Sequence, residues 1–214
     1  MYKVLCYGDS NTWGYTPDGN RLPEGARWPS VVQEILGSDY QIIENGLCGR
    51  TTCYDLEFGH CCNGKDGIGY AIYPTHPLDV VVIMLGINDL VVTDAEHSKE
   101  GIRELVRIVK NADANFPSSL PIFKNGPKIL VIAPTPLSKD HDTNQESIYR
   151  GKYEDSLRFK KYYKEVADEL GVDFLDAGEY TVASDEDGLH ITTQSHTNLA
   201  KAVAEKVKEM VERV

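Results

Sequence analysis

Ser10, Asp187 and His190 are the residues of this chain whose types and spacing suit covalent chemistry. Ser10 lies in Gly8-Asp9-Ser10-Asn11-Thr12, directly after the apolar run Met1 to Tyr7, which reads as a first strand ending in a turn. Gly8 permits a sharp turn and Asp9 tolerates one. The serine hydroxyl can therefore sit at a helix N-terminus with its own N–H free to bind an oxyanion. Alone, a Gly-Asp-Ser tripeptide is more often a structural strand-to-helix turn than a reactive one. A serine hydroxyl also needs a base in hydrogen-bond reach, and the oxyanion formed on attack needs donors already in place.

Among the six histidines, His190 is the best base. Asp187 precedes it by three residues, close enough in a local turn to hold one imidazole nitrogen and leave the other for Ser10. Asp187-Gly188-Leu189-His190 would also serve as a plain loop and helix cap. His141, between Asp140 and Asp142, is a rival, but its charged loop has no strand end beside it and reads as solvated surface. His196, in the first turn of the last helix, reads as support for the loop holding His190. His60, His76 and His97 have no comparable partner. Asn88 can offer an amide N–H, and the backbone N–H groups of Ser10 and Gly49 can complete an oxyanion hole. Asn11, Trp13 and Ile87 are candidate substrate-pocket residues. Tyr15, Tyr54, Phe58 and Tyr70 either add to a compact pocket wall or simply pack the loops.

These positions need elements that bring them together. The segment from Trp13 to Ala26 is aperiodic and rich in breakers, so it reads as a loop over the sheet edge. Trp28-Pro29 opens a helix that stops at Gly37. Tyr40 to Glu44 reads as the second strand, Asp79 to Leu85 as a central strand covered on both faces, Lys128 to Ala133 as the fourth and Asp173 to Asp176 as the fifth. Between them, Cys53 to Pro77 carries a short helix or only an excursion, and Ile102, Leu105, Val106 and Val109 mark a helix. Pro117 to Pro127 reads as a linking loop. A helix is expected from about Ser147 to Leu170, and a last one with a stripe through Leu199, Val203, Val207, Met210 and Val211. Strands alternating with helices imply right-handed parallel crossovers, hence a three-layer α/β/α sandwich with strand order 2-1-3-4-5. Ser10, Gly49, Asn88 and His190 then all follow the carboxyl ends of strands, where open α/β sheets bind ligands.

The size of 214 residues suits one domain over residues 1–214. A net charge of −11 disfavours nucleic acid and anionic lipid as partners. No apolar stretch approaches a bilayer span, and Met1 runs into the first strand without a signal sequence, so a cytoplasmic location is expected. The five cysteines, at 6, 48, 53, 61 and 62, read as free thiols, with Cys6 in the core. Cys53, His60, Cys61 and Cys62 lack the spaced pairs of a zinc site, so neither metal nor cofactor is expected.

Gly8-Asp9-Ser10-Asn11, Gly49, Gly86-Ile87-Asn88-Asp89 and Asp187-Gly188-Leu189-His190, in that order, resemble the four blocks of the SGNH (GDSL-type) hydrolases. Arg27-Trp28, Glu44 to Thr52 and Ile83-Met84-Leu85-Gly86 look like the bacterial arylesterase and acyltransferase branch. The chain departs from the usual pattern at Asn11, where many members carry Leu, and at Ser195, where Gly often precedes the second His. The resemblance implies a flavodoxin-like sheet, Ser10 as nucleophile, His190 as base, Asp187 as its partner, and Ser10, Gly49 and Asn88 as oxyanion donors. It implies a serine esterase acting on small esters through an acyl-enzyme, with acyl transfer as an extension. A carbohydrate acetylesterase, a metal-dependent hydrolase and a non-catalytic binding protein on the same fold are the alternatives. The expected partner is a small-molecule ester, with a homo-oligomer left open.

Overall fold

The computed structural model describes every residue except Phe58, Pro117 and Val214. The first apolar run forms β1 (Tyr2–Gly8), and Ser10 opens the short helix α1 (Ser10–Trp13). Helix α2 (Trp28–Leu36), with Pro29 in its first turn, ends at Gly37 and leads to β2 (Tyr40–Gly46). The region from Cys53 to Pro77 contains helix α3 (Gly64–Ile72), capped where the Asn63 side chain accepts from Lys65 N. Strand β3 (Leu78–Met84) is buried at every position, as the apolar run from Val80 to Met84 demands, with Asp79 paired to Lys124. Then follow α4 (Ala95–Lys110), α5 (Ala112–Asn115), β4 (Phe123–Ala133), α6 (Tyr153–Ser156), α7 (Phe159–Leu170), β5 (Asp173–Asp176) and α8 (Thr193–Glu212).

The five strands form one parallel sheet in the order β2-β1-β3-β4-β5. Alternate side chains divide between its two faces. Leu5, Tyr7, Val81, Ile83, Ile129 and Val131 pack with α3, α4 and α7. Val4, Cys6, Val80, Val82, Leu130 and Ile132 pack with α2 and α8. Ile102, Leu105, Val106 and Val109 form the buried stripe of α4, each side chain contributing ~1.5–3 kcal/mol of apolar burial. Cys6 is a core residue whose thiol is pushed up by burial and the Glu44 carboxylate.

Two elements depart from the sequence reading. The residues expected to form a loop before Lys128 include the start of β4, at Phe123; Pro117, where that loop was to begin, lies outside the described residues. Leu78 pairs with Phe123 and Val80 with Lys128, so between these pairs one residue of β3 faces four of β4. Gly126, at φ +78°, and Pro127 make this bulge, and such residues hide a strand from periodicity. The helix expected from Ser147 starts only at Tyr153 and breaks before Phe159. Asp142 Oδ1 accepts Tyr153 N, and Gly151 at φ +73° turns the chain before α6. Ser156 Oγ donates to Tyr153 O while accepting from Leu137 N, and Arg158 N reaches back to Asp155 O, which separates α6 from α7.

The last residues of β1 and β2 are glycines because α1 crosses them closely. A Cβ at Gly8 would lie 2.0 Å from Thr12 Oγ1, and one at Gly46 2.2 Å from Trp13 N. Gly8 itself lies within β1 and leaves its left-handed freedom unused; the need is for space. At Gly46 the obstacle is backbone, so α1 must move. Gly46→Ala is expected to lower stability in urea unfolding by ~1–3 kcal/mol and, because α1 carries Ser10, to lower turnover in the fraction that remains folded.

Candidate active site

Ser10, Gly49, Asn88 and His190 follow the carboxyl ends of β1, β2, β3 and β5, and the fold brings them together at one rim of the sheet. Asp9 caps α1 through its side chain, which accepts from Asn11 N at 2.9 Å, so Ser10 takes the first helical position, where its N–H has no intrahelical partner. Buried Asp9 has its carboxyl pushed up to about 6 by burial, against the lowering effects of the Asn11 N–H, His190 and Arg50.

Ser10 Oγ lies 3.0 Å from His190 Nε2, and His190 Nδ1 lies 2.6 Å from Asp187 Oδ2. The second Asp187 oxygen accepts both Leu189 N and His190 N at 3.0 Å. Burial alone would raise the Asp187 carboxyl, but the hydrogen bonds from the His190 ring and these two amides outweigh it and hold the carboxyl below its ordinary value. An ionised Asp187 keeps the Nδ1–H tautomer, which leaves Nε2 as the acceptor facing Ser10. The ring of Tyr15 lies 4.5 Å from that of His190.

Gly49 sits in the Leu47–Arg50 turn, closed by Arg50 N to Leu47 O at 3.0 Å, with a left-handed φ of +77°. Asn88 Nδ2 donates to Arg50 O at 3.0 Å, which places its amide beside that turn. Arg50 is itself buried. Its guanidinium donates to Gly8 O and Asn45 O at 2.8 and 2.7 Å and stacks 4.0 Å from the Tyr7 ring, joining the ends of β1 and β2. Behind Asn88, buried Asp89 accepts Thr52 N and Oγ1 and Ser98 Oγ, and so anchors the segment that follows Gly49 to α4. Burial pushes the Asp89 carboxyl up to about 6 despite these three donors. The arrangement offers a hydroxyl in hydrogen-bond reach of an oriented base, which suits attack on a carbonyl.

Several residues do other work than the sequence suggested. Asn11 is buried and its Oδ1 accepts Ile191 N at 2.9 Å, so it clamps the residue after His190. Ile87 is 1% exposed and belongs to the core. Trp13 packs under the Arg21 guanidinium, 4.7 Å from the ring, and Tyr54 donates to His97 O. Tyr70 is 84% exposed, so it is no pocket wall, and Phe58 lies outside the described residues. His141 is half-buried rather than solvated. It packs against Gly188 and its Nε2 meets Asp185 O at 2.7 Å, so it braces the loop that carries Asp187. Among the described residues no group of three His, Cys, Asp or Glu is placed to hold a metal ion, and no helix is long and apolar enough to cross a membrane.

His196 holds α2 rather than the His190 loop. Fully buried, it accepts Trp28 N at Nδ1, 3.2 Å away. Burial, aided by His190, lowers its pKa to about 4. A depressed imidazole contributes stability that is present above the unfolded value of 6.5 and lost as pH falls toward 4. Asp9 and Asp89, raised from 3.8, contribute in the opposite sense, losing stability as pH rises through about 6. The difference between wild type and His196→Gln isolates the histidine. In urea unfolding, wild type is expected to lose about 3 kcal/mol relative to the variant between pH 7.5 and 4; a constant difference would mean that His196 does not titrate there.

Residues 6–197 match the model of the GDSL-like lipase/acylhydrolase family. An acetylxylan esterase of Xylanibacter ruminicola is 25% identical over 222 residues; the match takes in 96% of this chain, which spans only 43% of that relative's length. A carbohydrate acetylesterase from Sinorhizobium meliloti superposes with a TM-score of 0.90 at 34% identity, covering 98% of this chain and 100% of that one. The native aryl esterase of M. smegmatis gives a TM-score of 0.88 at 30% identity over the same shares.

Proposed function

The chain belongs to the GDSL-like lipase/acylhydrolase family, and from that premise we propose that it is a serine esterase, a carboxylic ester hydrolase working through an acyl-enzyme. The observation that carries the reading is the unbroken line from Asp187 Oδ2 to His190 Nδ1 and from His190 Nε2 to Ser10 Oγ. Ser10 Oγ attacks the ester carbonyl while His190 takes its proton, and Asp187 stabilises the resulting imidazolium. The oxyanion is received by Ser10 N, Gly49 N and Asn88 Nδ2. His190 then gives the proton to the departing alcohol, and water, activated by the same imidazole, releases the acid. Replacing water by a second alcohol gives acyl transfer, which is part of the same proposal and is tested by ester exchange in an alcohol-rich medium.

Short acyl groups, acetyl above all, are the proposed substrates, in keeping with the acetyl and aryl esters named for the relatives. The leaving group is tested by a panel of acetylated sugars and aryl acetates on purified protein. Preference for the sugars by tenfold or more in kcat/KM would make the chain a carbohydrate acetylesterase; the reverse would make it an aryl esterase. We take residues 1–214 as one catalytic domain and place the reaction in the cytoplasm, where free thiols such as those of all five cysteines persist. The net charge of −11 supports a small-molecule partner over nucleic acid or an anionic membrane.

A further inference from the structure

We propose that Tyr149 is a positioning residue for oxyanion capture, holding the Asn88 carboxamide so that its N–H faces the reacting carbonyl, an inference that rests on the esterase reading above. Tyr149 belongs to none of the four sequence blocks; it lies in the turn-rich segment between β4 and α6. Its hydroxyl donates to Asn88 Oδ1 at 2.7 Å.

The orientation of the Asn88 amide follows from hydrogen-bond accounting. Arg50 O can only accept, so the amide edge 3.0 Å away must be nitrogen, and the opposite edge, facing Tyr149, must be oxygen. An amide held at both ends cannot rotate about its last torsion without breaking a bond at each. Arg50 O takes one Nδ2 hydrogen, and the second is left for an oxyanion. Without the phenol, Oδ1 loses a partner at a buried residue, and the amide is tethered on one side only. The Tyr149 phenol remains a donor throughout the working range, because burial, reinforced by the Asp9 and Asp89 carboxylates, pushes its ionisation up.

The segment carrying Tyr149 is itself fixed. Tyr149 N donates to Ser147 Oγ, Gly151 N to Asp142 O, and Lys152 Nζ to Thr93 O. The same segment supports the acid–base loop, through Ser138 N to Gly188 O at 2.8 Å and His141 Nε2 to Asp185 O. One stretch of chain thus touches both halves of the proposed machinery.

Tyr149→Phe keeps the ring and removes only the donor. It is expected to lower kcat for 4-nitrophenyl acetate roughly 5- to 50-fold, with KM within twofold and the midpoint of thermal unfolding lowered by no more than about 10 °C. The loss should be the same from pH 6 to 9, since no ionisation is removed. The decisive measurement is the double-mutant cycle: in an Asn88→Ala background, Tyr149→Phe should change kcat by less than twofold. Full kcat in the single variant, a loss carried by KM, or an equal loss in both backgrounds would overturn the inference. Turnover that survives Ser10→Ala overturns the esterase reading instead; Ser10-dependent turnover indifferent to Tyr149→Phe overturns only the role of Tyr149.

Discussion

Ser10→Ala is expected to lower kcat for 4-nitrophenyl acetate by roughly 10⁴–10⁶-fold, leaving the folded protein otherwise intact. Ser10 is 5% exposed and its hydroxyl is hydrogen-bonded to the His190 ring, so Ser10→Ala deletes the attacking atom and little else. Capping of α1 depends on Asp9, not on the serine side chain, and therefore survives. His190→Ala should cost a similar factor, since an unassisted hydroxyl is a weak nucleophile at neutral pH. The two losses will not add: Ser10→Ala/His190→Ala should be no slower than either single variant, because each already stops the same step. Asp187→Asn leaves the shape of the loop but abolishes the charge that fixes the imidazole tautomer, and a loss of about 10⁴-fold is expected. The measurements are steady-state release of nitrophenol, thermal unfolding of each variant, and labelling by a fluorophosphonate, which should modify wild type and spare Ser10→Ala. Turnover by Ser10→Ala within tenfold of wild type would sink the mechanism.

Much of this site was legible in the sequence because strand ends are. The apolar runs at Val4 to Tyr7, Val80 to Met84 and Ile129 to Ala133 can only be buried strands, and the glycines and polar residues that follow them mark the rim where chemistry collects. That places Ser10, Gly49, Asn88 and His190 together before any coordinate is known. Asp187 and His190 are close in the chain, so their pairing needs only a turn. The rest depends on contacts with no local signature. Tyr149 finds Asn88 across 61 positions from inside a loop, and a lone aromatic in such a loop carries no periodic signal. Asn11 looked like a pocket residue because it adjoins the serine, but its amide is spent on Ile191 N, 180 positions away. His141 looked solvated because Asp140 and Asp142 flank it, whereas packing against Gly188 decides its place. The first half of β4 was hidden by Gly126 and Pro127, which read as breakers and act as a bulge. Arg50 does carry a local signal, since an arginine immediately after a glycine near a strand end is well placed to tie neighbouring carbonyls together, as it does for Gly8 and Asn45.

Asn88→Ala is expected to lower kcat about 10²–10³-fold while KM moves little. The reason is differential. A ground-state ester carbonyl is a neutral acceptor, and the amide N–H gains most when negative charge has developed on that oxygen. The site is prepared for the later state: Arg50 O takes one Nδ2 hydrogen, the Tyr149 phenol holds Oδ1, and buried Asp89, anchored by Thr52 and Ser98, fixes the backbone one residue further on. None of these groups has to reorganise when the oxyanion forms. Asn88→Asp tests the same argument with nearly unchanged shape. A carboxylate would set an acceptor against Arg50 O and a negative charge against the developing oxyanion, so Asn88→Asp should be slower than Asn88→Ala, although alanine removes more of the side chain. Steady-state kinetics on one acetyl ester decide the matter, provided urea unfolding shows all three proteins folded under assay conditions. A loss in Asn88→Ala that falls on KM with kcat preserved would assign the amide to ground-state binding, and an Asn88→Asp variant faster than Asn88→Ala would remove Asn88 from the oxyanion hole.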